Sequence, residues 1–300
     1  MIRFGPAGNS KSFYNEGLKH THQAPKWLKE RGLNAFEYSF GRGVRMSDET
    51  AKTIGREMKE YDIEMSVHAP YYINLANEDD KKAQNSFNYI IQSLEKLKLM
   101  GGIRCIMHSG SLSGADRKDA LTRVYKRMDE LLNILNKKDL DSMILCPETM
   151  GKYSQIGTVE EICALCTLHP MLIPCLDFGH INSYMQGALK TKDDYKRQID
   201  IVFEMLKEEK AKYIHIHFSK IKYGPAGEIH HFNFSDPESD QYGPSFEPLA
   251  EVLHEYKMSP VIISESTDHM AEDAMTMKYI YMKNSFDKAE DCDKIEKSEV

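Results

Sequence analysis

Histidines crowd one short stretch of this 300-residue chain. Residues 213–231, YIHIHFSKIKYGPAGEIHH, hold four of the twelve histidines, and the acidic Glu228 precedes the last two. Imidazole nitrogens mixed with carboxylates are a donor set that suits zinc in proteins, or manganese where carboxylates dominate. The stretch therefore indicates metal chemistry rather than a hydrophobic core.

Further candidate ligands stand at the ends of short apolar runs along the chain. A lone histidine in such a place is usually a hydrogen-bonded structural residue, but six consecutive runs that end this way favour a shared site. The candidates are His68 in SVHAPYY, His108 in MHSGS, Glu148 in CPETM, Asp177 and His180 in CLDFGHIN, His215 in HIHFSK, and Glu265 in ISEST. They are too many for one tetrahedral ion.

Eight apolar, β-branched or aromatic runs alternate with charged segments of helical spacing. The runs are MIRFG, LNAFEYSF, EMSVHAPY, CIMHSGS, SMILCPETM, LIPCLDFGH, YIHIHFS and VIISEST, and the clearest predicted helices cover 48–61, 79–102 and 118–138. This alternation predicts an α/β fold, the (β/α)8 TIM barrel, in which all strands end at the face that carries the active site. A doubly wound sheet is the competing fold, but GPAGNSKS after the first run lacks the glycine spacing of a dinucleotide-binding turn.

Composition narrows the class of protein. No Ser/Pro/Gly-rich linker marks a boundary, so we expect residues 1–285 to form one barrel domain and the charged residues 286–300 a disordered tail. The net charge of −7 argues against a generally basic nucleic-acid-binding surface, while a local basic groove stays open. Six cysteines without framework spacing, and the lack of a leader or a membrane-length apolar run, predict a cytoplasmic protein that does not enter membranes. We expect a monomer.

In SVHAPYYINLAN, CLDFGHIN and the opening stretch, the sequence resembles the endonuclease IV family, over roughly residues 1–285. These nucleases are (β/α)8 barrels with three zinc ions, and they cut double-stranded DNA on the 5′ side of abasic sites. The resemblance implies three zinc ions here, with manganese as a partial substitute. The implied ligand sets are His68, His108 and Glu148; Glu148, Asp177, His215 and Glu265; and His180, Glu228 and His230. The last set follows from the family's acid-x-His element, thirteen residues after its strand-seven histidine, which pairs His215 with Glu228.

The resemblance also implies roles in catalysis and DNA binding. Glu148, shared between two ions, would be the catalytic carboxylate that orients or deprotonates the attacking water. Candidates for contacts with the substrate are Tyr71, Asn74, Arg42, Arg45 and Lys220. The loop FGRGVRMS carries the two arginines but no tryptophan of the kind that many members wedge into DNA.

Two other functions use the same residues. A sugar isomerase or epimerase of the xylose-isomerase-like superfamily binds one manganese or magnesium ion on a Glu-Asp-His-Glu set. That set would be Glu148, Asp177, His215 and Glu265. Such an enzyme has no need of the surplus histidines, which favours the nuclease. A metal-loaded barrel that binds damaged DNA or a phosphosugar without turnover is the third hypothesis.

Overall fold

Eight parallel strands close into a barrel in the computed structural model, which describes the backbone of residues 2–296 and the side chains of residues 2–284. The barrel strands are β1 (Arg3–Pro6), β2 (Ala35–Ser39), β3 (Glu64–His68), β4 (Arg104–Met107), β5 (Ile144–Pro147), β6 (Cys175–Asp177), β7 (His215–Phe218) and β10 (Val261–Ser264). They pair in the orders β1-β10-β7-β6 and β2-β3-β4-β5. Bridges between Ala7 and Glu37 and between Glu148 and Cys175 join the two halves. The predicted TIM barrel is confirmed, and the open sheet is excluded.

Helices alternate with the barrel strands along the chain, as the sequence predicts. They are α1 (Lys11–Asn15), α2 (Ala24–Glu30), α3 (Asp48–Glu60), α4 (Asp80–Leu99), α5 (Arg117–Lys137), α6 (Val159–Cys166), α7 (Phe178–Tyr184), α8 (Lys192–Met205), α9 (Glu208–Ala211), α10 (Phe246–Glu255) and α11 (Met270–Glu296), with 3₁₀ turns at Thr21–Gln23 and Ser239–Gln241. The side chains of Ser47, Asp79 and Asp116 cap α3, α4 and α5 by accepting hydrogen bonds from first-turn amides. Among the described helices, none combines the length and apolarity needed to cross a membrane. The tail predicted for residues 286–300 lies outside the residues whose side chains are described.

The interior of the barrel contains both apolar and polar side chains. Small apolar clusters occupy part of it, such as Ala35 with Val261 and Ile263. Beside them, β2 and β7 contribute Glu37 and His215, both fully buried. Barrel interiors are normally filled by branched apolar side chains, so this polar pair is unusual. Its position beneath the mouth of the barrel bears on the site described below.

After β7 the chain leaves the barrel and forms an antiparallel hairpin, β8 (Lys220–Gly224) and β9 (Gly227–Phe232). Gly227 has φ of +98°, and a Cβ there would lie 2.1 Å from the carbonyl oxygen of Gly151, so only glycine lets the turn pack on the loop after β5. Tyr223 pairs with Glu228 but Lys222 pairs with His230, which leaves one extra residue in β9. This β-bulge reverses the alternation of side chains within the strand.

Candidate metal centre

A cleft of about 600 Å³ opens at the carboxyl ends of the barrel strands. The loops after β3, β4, β5 and β10, the helix α7 and the β8–β9 hairpin contribute to its walls. Its titratable lining residues are Glu37, His68, Tyr71, His108, Glu148, Lys152, His180, Glu228, His230, His231 and Glu265. Side chains that are far apart in sequence therefore meet at the face where TIM barrels carry their active sites.

Glu148, directly after β5, is the centre of this arrangement and is fully buried. Its Oε2 lies 3.1 Å from Nε2 of His68 and 3.2 Å from Nε2 of His108. These three side chains offer ligand atoms close enough together to hold one metal ion. Burial alone would raise the pKa of Glu148, but the charge of His217 and hydrogen bonds from His108, His217 and His68 hold it well below the usual value.

The other oxygen of Glu148 faces a second cluster. Its Oε1 lies 2.9 Å from Nδ1 of His217, and Glu148, Asp177, His217 and Glu265 together form a group that could hold an ion. Asp177 ends β6 and caps α7 through Oδ1, which accepts from the amide of His180 at 2.8 Å. Burial, Glu148 and Asp177 raise the pKa of Glu265.

The remaining oxygen of Asp177 provides a test of whether a cation fits here. Asp177 is fully buried, and its Oδ2 accepts no hydrogen bond from the described residues, although Nδ1 of His180 lies 3.3 Å away. Two further carboxylates, from Glu148 and Glu265, belong to the same group. Several carboxylates gathered in one buried place are costly unless positive charge compensates them. A mixed carboxylate and imidazole donor set meets the requirements of zinc or manganese.

A third cluster lies between α7 and the hairpin and consists of His180, Glu228 and His231. Nδ1 of His180 donates to the carbonyl oxygen of Thr149 at 2.9 Å, so its Nε2 faces Glu228 Oε2 at 3.5 Å. Nε2 of His231 lies 3.7 Å from Glu228 Oε1. Burial would lower the pKa of His180, but Asp177, Glu228 and Glu148 raise it to about 9. Burial would raise the pKa of Glu228, but His231 and His180 lower it to about 2.

Two of the histidines in these clusters are not the ones predicted from the sequence spacing. His215 and His217 both face the barrel interior, but His217 is nearer the carboxyl end of β7, and it is His217 that meets Glu148. The β9 bulge turns His231 toward Glu228 and leaves His230 exposed beside the ring of Phe232. The structure therefore places His217 and His231 in these two clusters, where the prediction had His215 and His230. The strand-seven histidine precedes Glu228 by eleven residues here, not thirteen.

The five residues predicted to contact substrate fall into three groups. Tyr71 lines the cleft, half-exposed, with its ring 5.1 Å from that of His68. Arg42 and Arg45 are exposed in the loop after β2, outside the cleft lining. The third group, Asn74 and Lys220, forms hydrogen bonds and an ion pair with other residues of the protein.

Asn74 and Lys220 hold loops in place. The Asn74 side chain accepts from the amides of Ala76 and Ser111 at 3.0 and 3.1 Å, which ties the loops after β3 and β4 together. The ammonium of Lys220 binds Asp240 and Ser239 at the 3₁₀ turn. Neither residue lines the cleft, and their roles in substrate contact stay predictions.

Sequence reasoning missed two further residues of this region. Lys152 lines the cleft beside the hairpin, and no ion pair is formed by it among the described side chains. Glu37 lies mid-strand in β2, below His217. A search of strand ends cannot find Glu37, although a glutamate at an inward position of an otherwise apolar run is a signal for a buried partner.

The sequence pattern of the xylose isomerase-like TIM barrel family matches residues 25–280. The chain belongs to this family. Within it, the chain is 31% identical over 268 residues to an uncharacterised protein of Methanocaldococcus jannaschii, covering 89% of this chain and 92% of that protein. It is 28% identical over 234 residues to an Enterococcus faecalis protein called "Probable endonuclease 4", covering 75% and 73% of the two chains.

This member of the xylose isomerase-like TIM barrel family also resembles solved structures of the same fold, at lower sequence identity than the two relatives above. Endonuclease IV from Thermus thermophilus superposes with a TM-score of 0.66 at 18% identity, over 94% of this chain and 99% of that one. A D-tagatose 3-epimerase-like protein superposes with a TM-score of 0.70 at 17% identity, over 96% and 100%. At these identities both similarities establish the fold alone, so the choice between nuclease and epimerase depends on the cleft.

Proposed function

We propose that this chain is a metal-dependent phosphodiesterase that cuts DNA at abasic sites, as members of the endonuclease IV family do. One observation carries the proposal. Glu148 belongs to two candidate ion sites at once, and a third site lies beside them in the same cleft. Phosphodiester cleavage is the reaction that benefits from several neighbouring cations, because both the attacking and the leaving oxygen develop charge.

The three clusters would hold the three ions, which we propose to be mainly zinc. Their members are His68, His108 and Glu148; Glu148, Asp177, His217 and Glu265; and His180, Glu228 and His231. When bound, the ions would supply Lewis-acid polarisation of the phosphate and ease ionisation of water at neutral pH. The similarity to proteins named endonuclease 4 supports metal use and a DNA substrate.

The chain's own groups would then position the substrate. Glu148 orients the attacking water, because it is the one carboxylate with an oxygen toward each of two clusters. Tyr71, whose hydroxyl lies 3.0 Å from Ser39 Oγ at the cleft wall, offers a donor to a phosphate or sugar oxygen. Lys152 adds a cation at the rim for a phosphate group.

A sugar epimerase is the competing function within the same family. It would require only the cluster of Glu148, Asp177, His217 and Glu265. The cleft contains two further three-residue clusters that a single-ion reaction leaves without a role. Buried charged groups without a role are costly, and for this reason we favour the nuclease.

The deciding experiment uses a labelled duplex that contains one tetrahydrofuran abasic analogue, with an undamaged duplex of the same sequence as control. We expect zinc-loaded protein to cut only the damaged strand, 5′ to the analogue, and Glu148→Gln protein to leave it intact. The same preparation is incubated with D-tagatose and D-fructose in the presence of manganese. Conversion of either sugar without incision would replace the proposal by the epimerase, and binding of the damaged duplex without incision would replace it by a binding protein.

A further inference from the structure

We propose that Glu37 is a positioning residue that orients His217 toward the Glu148 cluster, an inference that rests on the metal centre of the proposed function. Glu37 Oε1 lies 3.0 Å from His217 Nε2, and both side chains are fully buried. Neither atom forms a hydrogen bond of regular geometry with any described residue, so this close approach of a carboxylate oxygen to a ring nitrogen is the polar contact that the two buried groups share. An acceptor at Nε2 places the ring proton there and leaves Nδ1 free to bind an ion beside Glu148.

The other histidines of the centre show why His217 needs a side chain for this purpose. Nδ1 of His68 contacts the carbonyl oxygen of Ala69 at 2.7 Å, and Nδ1 of His180 contacts that of Thr149 at 2.9 Å. Nδ1 of His231 lies 3.2 Å from the carbonyl oxygen of Glu265. In each case Nδ1 contacts a backbone oxygen, joined at His231 by the hydroxyl of Ser219 at 2.9 Å, and Nε2 faces the carboxylates.

His217 lies within a barrel strand, where no such carbonyl is free. Strand β7 is paired on one side with β10 and on the other with β6, so its neighbours' carbonyl groups serve the sheet. Its ring is also reversed, with Nδ1 rather than Nε2 toward Glu148. The only carboxylate within 4 Å of its Nε2 among the described residues belongs to Glu37.

Glu37 is itself held by two neighbours in the barrel interior. Ser66 Oγ donates to its Oε2 at 2.8 Å, and Nε2 of His215 lies 3.2 Å from the same oxygen. These contacts fix the carboxylate in one orientation, so that Oε1 is available to His217. The side chains of Glu37, Ser66 and His215 are each 2% exposed or less. Burying such polar groups costs free energy of folding, which a purely packing role would not justify.

The test measures metal binding and ring tautomer rather than DNA cleavage. Zinc content and affinity are measured by competition with a chromophoric chelator for wild type, Glu37→Gln and Cys146→Ala. Cys146 is a fully buried residue of the barrel strand β5 and controls for a change in packing. Two-bond ¹⁵N–¹H correlation spectra of the imidazoles report which nitrogen carries the proton, with His217 assigned by the disappearance of its signals in His217→Gln.

We expect zinc-loaded wild type to show His217 protonated on Nε2. Glu37→Gln places an amide where the carboxylate stood. It should lower the affinity for one of the three ions by about 10- to 100-fold, the usual effect of removing a hydrogen-bond partner of a metal ligand. Cys146→Ala retains wild-type affinity. If Glu37→Gln does not fold, Ser66→Ala removes one of the groups that hold Glu37 and should weaken the same ion by a smaller factor.

Unchanged affinity and tautomer in folded variants would overturn the assignment. The assignment would also be overturned if wild type bound four ions and Glu37→Gln only three, because Glu37 would then itself be a ligand. Its partners would be Cys175, His215 and His217, whose ligand atoms lie close enough together to share an ion. Zinc-loaded protein that fails to cut abasic DNA would contradict the proposed function and leave this inference standing. Wild type that binds no zinc would contradict both.

Discussion

Glu148 Oε1 lies 2.9 Å from His217 Nδ1, a contact that joins the ends of β5 and β7 inside the barrel mouth. Because Oε2 of the same carboxylate faces His68 and His108, Glu148 has no orientation in which it serves only one cluster. A carboxylate in this position would hold two ions at once, so its removal should affect both clusters.

Glu148→Gln should abolish incision while the fold survives. The amide keeps the shape of the side chain but loses the charge and one acceptor oxygen, so both neighbouring clusters are weakened. We expect the rate of incision to fall by more than about 100-fold, the upper end of what loss of an outer partner costs. Incision assays are combined with circular dichroism, and Glu64→Gln, on the opposite end of the barrel, should retain wild-type activity. Near-normal cutting by folded, metal-loaded Glu148→Gln protein would remove this residue from the reaction.

The two adjacent histidines of β9 should behave differently. His231→Ala should lower the zinc content from about three ions per chain to about two, because its ring faces Glu228 in the third cluster. His230→Ala should leave all the ions in place, since that ring is exposed beside Phe232. Elemental analysis of protein purified without chelator measures both. Equal losses, or a loss in His230→Ala alone, would show that β9 pairs in another register in solution.

The sequence alone predicted part of this site but could not distinguish neighbouring histidines within a strand. Strand ends are visible as apolar runs that stop at a polar residue, which is why His68, His108, Glu148 and Glu265 could be assigned to the barrel mouth. In β7, two histidines two residues apart share one face of a strand, so alternation does not distinguish them. Choosing between them required the actual end of β7, because the family's spacing selects His215 whereas His217 is the residue that contacts Glu148 in the structure.

The bulge at Ile229 and the inward-facing Glu37 beneath the centre were missed for different reasons. A bulge depends on how two strands pair, which a single strand does not encode, and it reversed the facing of His230 and His231. Glu37 lies mid-strand, where a polar residue normally indicates a solvent-facing side. Closure of the barrel turns that position inward, and closure is a property of all eight strands together.

Lys152→Met should weaken substrate binding more than it slows the chemical step. Lys152 is the cation that lines the cleft, and removing its interaction with a phosphate raises KM, while the clusters around Glu148 are untouched. Lys222→Met is the matched control, because Lys222 belongs to the neighbouring hairpin and its ammonium is already paired with Glu238 at 3.1 Å. Steady-state kinetics with the abasic duplex separate the two parameters. An unchanged KM for Lys152→Met would exclude an interaction between Lys152 and a phosphate.

Arg42 and Arg45 should contribute to duplex binding from outside the cleft. Both are exposed in the loop after β2 and are absent from the ion pairs of the described residues. Replacing either with Ala should lower the slope of log binding constant against log salt concentration by about one, because one fewer phosphate is neutralised. Lys52→Ala, on the exposed flank of α3, should leave the slope unchanged. Fluorescence anisotropy over a salt series provides the measurement, and two unaltered slopes would remove the loop from the DNA-binding surface.

Removal of metal should destabilise the barrel as well as inactivate it. Without ions, the three carboxylates of Glu148, Asp177 and Glu265 gather around His217, and one buried oxygen of Asp177 accepts no hydrogen bond from a described residue. A cation that binds only the folded chain therefore stabilises it. At a zinc concentration one hundred times the dissociation constant of a site, the gain is about 2.7 kcal/mol, which raises the melting temperature by roughly 5 °C or more.

Differential scanning fluorimetry of chelator-stripped protein, with and without added zinc, measures this shift. Magnesium should give a smaller one, because it prefers octahedral oxygen ligands to imidazole. Glu148→Gln should respond less to zinc than wild type, since it loses a ligand in two clusters, whereas His230→Ala should respond fully. A melting temperature that zinc does not change in the wild type would mean that the buried carboxylates are neutralised by protonated histidines alone, and the metal centre would have to be abandoned.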